Sequence, residues 1–341
     1  MECLDVFCHV LPKPYLDAVS RVCGRRPHML DRAAAMPVLT EVEARLRVMD
    51  QFDGYCQVPS LVSPPLEALA GPQDSPDLAR IANDAMAEMT AAHPDRLPGF
   101  VAALPMNAPD AAMAEAERAV RILGAVGVQV FTDVNGHPLD AAYPLDLIGL
   151  MAGLDRPLWL HPCRGMRPPD YAGEEVSRFE LWWALAWPYQ TSLAMARLVF
   201  AGVFDRWPNV KIIAHHVGGM IPMVEGRLGA GLDLLGSRTP PEHRGAVETT
   251  LKGRPLEAFR RFYADTASFG ARAPIECGLA FSGPDRLLFG SDMPFDPEGG
   301  PGYIRETLRA IGEMNLSECE RYAILVGNAR RLLRLQKHVP H

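Results

Sequence analysis

Short apolar runs alternate with longer amphipathic ones along the whole chain, and this alternation restricts the fold more than any other feature. The apolar runs are "LDVFCHV" from Leu4, "YCQVPSL" from Tyr55, "PGFVAAL" from Pro98, "GVQVFT" from Gly127, "PLWLHP" from Pro157, "VKIIAHH" from Val210, "FYADTA" from Phe262 and "LLFGSD" from Leu287. Each is short, bounded by Gly, Pro or Asp, and reads as a buried strand. Between them, segments such as "SPDLARIANDAMAEMTAAH" and "DAAMAEAERAVRILG" space their apolar residues three and four apart, as a helix packing one face on a core does. Eight such β/α units predict a closed (β/α)8 TIM barrel. The competing open, doubly wound sheet often binds nucleotides, yet no strand-to-helix turn carries G-x-G-x-x-G or G-x-x-x-x-G-K-[ST]. The 341 residues are read as one domain, 1–341. Two stretches rich in Arg, Pro and aromatics, 20–40 and 163–187, are too long for ordinary loops and are expected to lie over the C-terminal mouth of the barrel.

Charge and cysteine usage narrow the class of protein. Net charge is −7, with Lys and Arg scattered and no basic stripe, which argues against a nucleic-acid groove. The seven cysteines are far apart and never form C-x-x-C, so neither a disulfide framework nor a zinc knuckle is expected, and a reducing cytoplasm is the expected location. "MECLDVFCHVLPKPY" carries acids inside its apolar run and no basic leader, so no signal peptide is expected, and no run is long enough to span a bilayer.

In a barrel, polar residues at the C-terminal strand ends converge on one mouth. His9 closes the first strand, His161 the fifth, His215 and His216 the sixth, and Asp292 the eighth. Neutral imidazole nitrogens with one carboxylate make a donor set for a single divalent ion, zinc or manganese. One such residue alone is more often structural; four strand ends carrying them point to a site. His28, His93, His137, His243, His338 and His341 fall in helices, loops or the tail and receive no role. No G-x-S-x-G elbow is present, and Cys163 reads as a packing residue. Asp265 is either an acceptor for an imidazole N–H or a strand-end cap. The tryptophans of "FELWWALAWPYQ" read as core, with one available to wall a pocket. Period-two alternation places Asp5, Phe7 and His9 on one face of the first strand.

Further motifs give the chain a familiar look. "RLRVMDQF" (Arg45 to Phe52), "ALPMNAPDAAMAEAERAV", "GVQVFTDVNGHPLD", "AGVFDRWPNVKIIAHHVGGMIP" and "LLFGSDMPF" join the strand ends in a pattern that resembles the amidohydrolase-2 group of the amidohydrolase superfamily. The resemblance is to its α-amino-β-carboxymuconate-ε-semialdehyde decarboxylase-like and γ-resorcylate decarboxylase-like enzymes. It implies one divalent ion held by His9, His161 and Asp292, with His216 as the catalytic acid/base, Asp292 sharing in proton transfer, and a homodimer. His215, one residue earlier, is then expected to face the helices. The family's first strand usually reads D-x-H-x-H, or has Glu for the first His, so the chain departs at Phe7. Phe7 is expected to leave a three-ligand site, to form part of the substrate pocket floor, and to allow metal-free chemistry as the alternative. The expected activity is decarboxylation of a small planar hydroxylated or aminated aromatic or dienoic carboxylic acid, with Arg164 and Arg167 as candidates to hold a second anionic group. The alternatives are a lactonase-like hydrolase or a hydratase on the same barrel, and a silent barrel kept as a binding subunit.

Overall fold

The computed structural model describes residues 2–24 and 26–335. Eight parallel strands form one sheet in chain order: β1 (Cys3–Val10), β2 (Tyr55–Leu61), β3 (Val101–Ala102), β4 (Gly127–Phe131), β5 (Leu158–His161), β6 (Ile212–Ala214), β7 (Tyr263–Asp265) and β8 (Leu287–Leu288). Hydrogen bonds close the seam between the last strand and the first. The Val6 amide donates to the Phe289 carbonyl at 2.9 Å, the Asp292 amide to Phe7 at 2.8 Å, and the His9 amide to Met293 at 2.9 Å. The expected barrel is the observed fold, and each quoted apolar run supplies its strand.

The helices follow from their sequences. Pro109–Arg121 opens with Pro and Asp110 and ends with Arg118 and Arg121, which suits both the unbonded amides at its start and the macrodipole. Its buried face is small, with Ala112, Ala116 and Ala119 letting it approach the barrel closely. Glu115, also buried, is paired with Arg118 at 2.8 Å and accepts from Asn83 at 2.7 Å on the neighbouring helix Ser75–Ala92. Inside the barrel, Leu4, Val6, Phe7, Val58, Val101, Val126, Trp159, Ile213 and Leu288 pack as one cluster. Trp159 is its largest member and donates its indole N–H to the Val6 carbonyl at 2.7 Å. Gly127 makes room for it, because a Cβ there would lie 2.4 Å from the Trp159 ring.

One local feature overturns the simple reading of β1. Its register against β2 shifts between Asp5 and Cys8, a β-bulge, so Val6 and Phe7 both face the interior. Cys3 and Cys8 pack on the other side with Tyr55 and Phe289. Asp5 therefore does not share the face of Phe7 and His9; it turns to the outer layer. There its carboxylate accepts from Tyr55 Oη at 2.5 Å, from the Phe7 amide at 3.0 Å, from the Ser291 amide at 3.2 Å and from Ser291 Oγ. Burial pushes Asp5 up to about 6 in spite of these four donors.

Both expected insertions sit over the mouth, as the helix His28–Ala34 and as the loop from 162 that ends in the one-turn helix Leu181–Ala184. A third, unexpected one follows β6, where Arg227–Gly231, Leu232–Leu234 and Pro241–Val247 are short π and 3₁₀ turns. Among the described residues no helix is long and apolar enough to cross a membrane.

A buried carboxyl lies in the one-turn helix Leu66–Leu69 after β2: among the described residues no side chain donates to Glu67, and burial pushes it up to about 7 against the Glu67 and Met106 amides. A carboxyl whose proton is held more tightly in the folded state stabilises fully below its unfolded value. That contribution is lost as pH rises from about 4.5 through 7, on the order of 3 kcal/mol. Glu67→Gln is expected to raise stability at pH 8 by that order and to change it little at pH 4.5. Urea unfolding of both proteins at the two pH values checks this, and an equal effect at both would refute it.

Candidate active site

The mouth gathers residues from five strands. His9 lies at the end of β1, His161 ends β5, His215 and His216 follow β6, Asp265 ends β7 and Asp292 follows β8. Asp292 is at the centre: its Oδ1 is 3.2 Å from His9 Nε2 and 3.5 Å from His215 Nε2, and its Oδ2 is 3.6 Å from His216 Nε2. Nitrogen atoms of His9, His161 and His215 lie within 4.8 Å of one another, as do ligand atoms of His215, His216 and Asp292.

Each ring is oriented from behind. His9 Nδ1 faces Ser60 Oγ at 3.1 Å, His161 Nδ1 faces the Pro162 carbonyl at 2.5 Å, and His215 Nδ1 meets Asp265 Oδ2. Asp265 is thus an acceptor for an imidazole N–H, and its Oδ1 also takes the Val217 amide at 3.1 Å and the Ala267 amide at 3.0 Å. With Nδ1 engaged, each ring turns Nε2 towards the mouth. His9 Nε2 and His215 Nε2 are buried and, among the described residues, face only Asp292 Oδ1, at 3.2 and 3.5 Å. Buried nitrogens gathered beside one carboxylate suit a divalent ion.

Electrostatics follow this arrangement. Burial pushes the His161 ring well below its ordinary value, helped by His215 and His9, and burial likewise lowers His9 and His216. Burial opposes a charge on Asp292, yet the three imidazoles around it outweigh burial and hold its carboxyl well below the usual range. His215 is the exception: burial lowers it, but Asp265 and then Asp292 reverse the sign and raise it to about 9.

Backbone conformation sets the direction of the sixth-strand pair. His216, Val217, Gly218 and Gly219 all have positive φ, at 54°, 58°, 76° and 64°. A β-branched residue in that region is costly, and such strain concentrates at functional turns. Gly219 is required, since a Cβ would lie 2.4 Å from the Pro188 carbonyl oxygen. The turn folds His216 over His215, with ring centroids 3.7 Å apart.

Several expectations need correction. His215 does not face the helices; it is buried at the centre of the cluster, because Asp265 draws its ring inward. Phe7 is fully buried and lies parallel to the His215 ring, with centroids 3.7 Å apart and 5° between planes, so it supports an imidazole and does not line the cavity. Arg164 and Arg167 do not line the cavity either. The Arg164 guanidinium is held by the Pro168 and Pro169 carbonyls at 2.9 and 3.0 Å and by Asp170 at 3.2 Å. Cys163 donates to Asp133 at 3.2 Å, and its thiol is pushed up to about 12 chiefly by burial.

The cavity over the cluster has a volume of about 290 Å³. Its walls are Trp182, Trp183, Trp187, Phe269, Phe295 and Tyr303 around His9, His161 and Asp292. The tryptophans expected in the core are thus a wall. His28 and Arg32 reach it from the first insertion, although His28 was given no role in the sequence; His338 and His341 lie outside the described residues. Only their position in an aromatic insertion after β5 could have marked the tryptophans, and nothing local marks Arg32.

Imidazoles and a carboxylate at the C-terminal mouth of a parallel barrel define an enzyme with a donor set for a divalent ion. The chain belongs to the amidohydrolase family, whose profile matches residues 40–335. It is 32% identical over 315 residues to the γ-resorcylate decarboxylase of Polaromonas sp. strain JS666, covering 86% of this chain and 88% of that protein. It is 28% identical over 296 residues to the 2-amino-3-carboxymuconate-6-semialdehyde decarboxylase of Dictyostelium discoideum, covering 86% and 76%. The crystal structure of a dihydroxybenzoic acid decarboxylase from Polaromonas sp. JS666, with bound manganese and the inhibitor 2-nitroresorcinol, superposes with a TM-score of 0.79 at 27% identity, covering 98% of this chain and 97% of that one.

Proposed function

We propose that the protein is a decarboxylase of a small planar hydroxylated or aminated carboxylic acid. The observation that carries this reading is the aromatic-walled cavity of about 290 Å³ standing directly on the His9, His161 and Asp292 cluster. Its size is near the lower end for ligand pockets and suits a single ring, which Trp182, Trp183 and Trp187 can face. The similarity to decarboxylases of resorcylate and aminocarboxymuconate semialdehyde supports it.

His9, His161 and Asp292 would hold one divalent ion, zinc or manganese, and such an ion supplies Lewis-acid polarisation of the acid's oxygens. The residues of the chain do the rest. The aromatic walls hold the ring flat and exclude water. His216 takes a proton from solvent and, as the imidazolium, delivers it from Nε2 to the ring carbon that carries the carboxylate. The bond from that carbon to the carboxylate then breaks, its electron pair restores the conjugated system, and carbon dioxide leaves. Solvent returns the proton to His216. Asp292 stays ionised under its three imidazoles and orients His216.

A second anionic group on the substrate would meet Arg32, which lines the cavity and has no ion-pair partner among the described residues. Arg164 serves that group only by shaping the loop. Arg32→Met is expected to raise KM about tenfold for an acid with a second anionic group and to change it little for one without. Steady-state kinetics on such a pair checks this; equal effects would remove Arg32 from recognition. A homodimer in a reducing compartment belongs to the same reading, the latter supported by seven unpaired cysteines. The test of function is a screen of hydroxybenzoates, picolinates and muconates with metal-replete protein, measuring carbon dioxide release. Uptake of labelled oxygen without carbon dioxide would replace the decarboxylase reading with hydrolysis.

A further inference from the structure

We propose that His215 is a direct ligand of the divalent ion, supplying from β6 the donor that β1 lacks at Phe7. The inference rests on the reading of the mouth as a metal centre and extends it to a residue outside the expected set.

Phe7 points into the barrel beside the cluster, its ring centroid 6.1 Å from that of His9 and 6.0 Å from that of His161. A benzyl group there cannot coordinate. The His215 ring lies flat on it, 3.7 Å away, and so brings an imidazole from the sixth strand over the place the first strand fills with a hydrocarbon. His215 Nε2 then shares one small volume with His9 and His161, buried and facing Asp292 Oδ1 at 3.5 Å. Its other nitrogen is clipped by Asp265, a carboxylate that two backbone amides hold in place. An imidazole fixed from behind by a carboxylate, with its free nitrogen aimed among other donors, has the arrangement of a metal ligand. The donor set becomes His9, His161, His215 and Asp292, one from each of four strand ends. Phe7 is a positioning residue: its ring fixes the plane of His215 by stacking. His216, folded away over the outer face of His215, keeps its nitrogens for substrate.

The experiment is a titration of chelator-stripped protein with Zn²⁺ and Mn²⁺ against a competing dye, without substrate, on the wild type and four variants, with thermal melts of each. His215→Ala is expected to weaken ion binding by about 100-fold or more, and His216→Asn by less than about threefold. Asp265→Asn, which loosens the ring without removing it, is expected to cost about tenfold. The double variant Phe7→His with His215→Ala returns an imidazole to the first strand and is expected to recover most of the lost affinity. Wild-type affinity in His215→Ala, or an equal loss in His216→Asn, would overturn the assignment; should His215→Ala fail to fold, unchanged affinity in Asp265→Asn would do so. A wild type that takes up no ion would fail the metal reading as a whole, while strong uptake without carbon dioxide release would fail only the proposed reaction.

Discussion

Asp292→Ala is expected to abolish ion binding and lower kcat by about 10³-fold or more. The carboxylate is in contact with His9, His215 and His216 together, at 3.2, 3.5 and 3.6 Å. Its negative charge is what lets several imidazoles crowd a buried volume, and without it His9 and His216 lose their carboxylate neighbour while His215 keeps Asp265 alone. Its backbone matters as well, since Asp292 sits at φ 64° with its amide on the Phe7 carbonyl. Asp292→Asn separates the two contributions, because Asn tolerates the left-handed region about as well as Asp does. The Asn variant keeps the backbone contribution, so it should melt above the Ala variant and still lose the ion and turnover. Metal analysis, melting temperature and turnover on both variants check this; full metal content in the Asn variant would remove Asp292 from the ligand set.

His216→Asn is expected to behave differently, with kcat reduced by about 10²-fold and metal content unchanged. A positioned proton-transfer group contributes that order of rate. Both its ring nitrogens are buried without hydrogen-bond partners, and its ring lies 6.2 Å from Trp187 and 5.8 Å from Phe269, beside the cavity where a planar acid would lie. Asn again suits a residue at φ 54°, so the turn through Gly219 should survive. Single-turnover kinetics with metal analysis separates loss of chemistry from loss of the ion. Near-wild-type turnover would return the acid/base role to Asp292 or to solvent.

The barrel and its strand-end residues were legible because they rest on periodicity and on punctuation by Gly and Pro, which are local. His9, His161 and Asp292 needed only the rule that strand ends meet at one mouth, whereas His216 was set apart from His215 by the family resemblance. What stayed hidden depends on geometry that alternation cannot carry. The bulge in β1 turned Asp5 outward while Phe7 remained inward, and no residue between Asp5 and Cys8 announces an extra residue in the pairing. His215 was misplaced for a related reason: after Ala214 the strand ends, and a run of positive φ from His216 onward puts two consecutive histidines on the same side. Asp265 was left open because its role is defined by His215. The tryptophans after β5 were read as core from their apolarity, although an insertion over a mouth offers them a half-buried wall instead.

The Asp5 clamp bears on when, during folding, this chain can become an enzyme. Asp5 ties β1 to Ser291 across 286 positions, and the same seam carries His9 towards the end of β1 and Asp292 after β8. Such a contact closes a loop of 286 positions, so it forms late and at a high entropic cost. A ribosome-bound chain short of residue 292 would have its first histidines in place and no centre to join them, and the ion could not template the early steps. The amides of Phe7 and Ser291, which both donate to that carboxylate, should gain hydrogen-exchange protection together and last in pulse-labelled refolding. Protection of these two amides before those of β4 and β5 would mean that the seam nucleates the barrel instead of completing it.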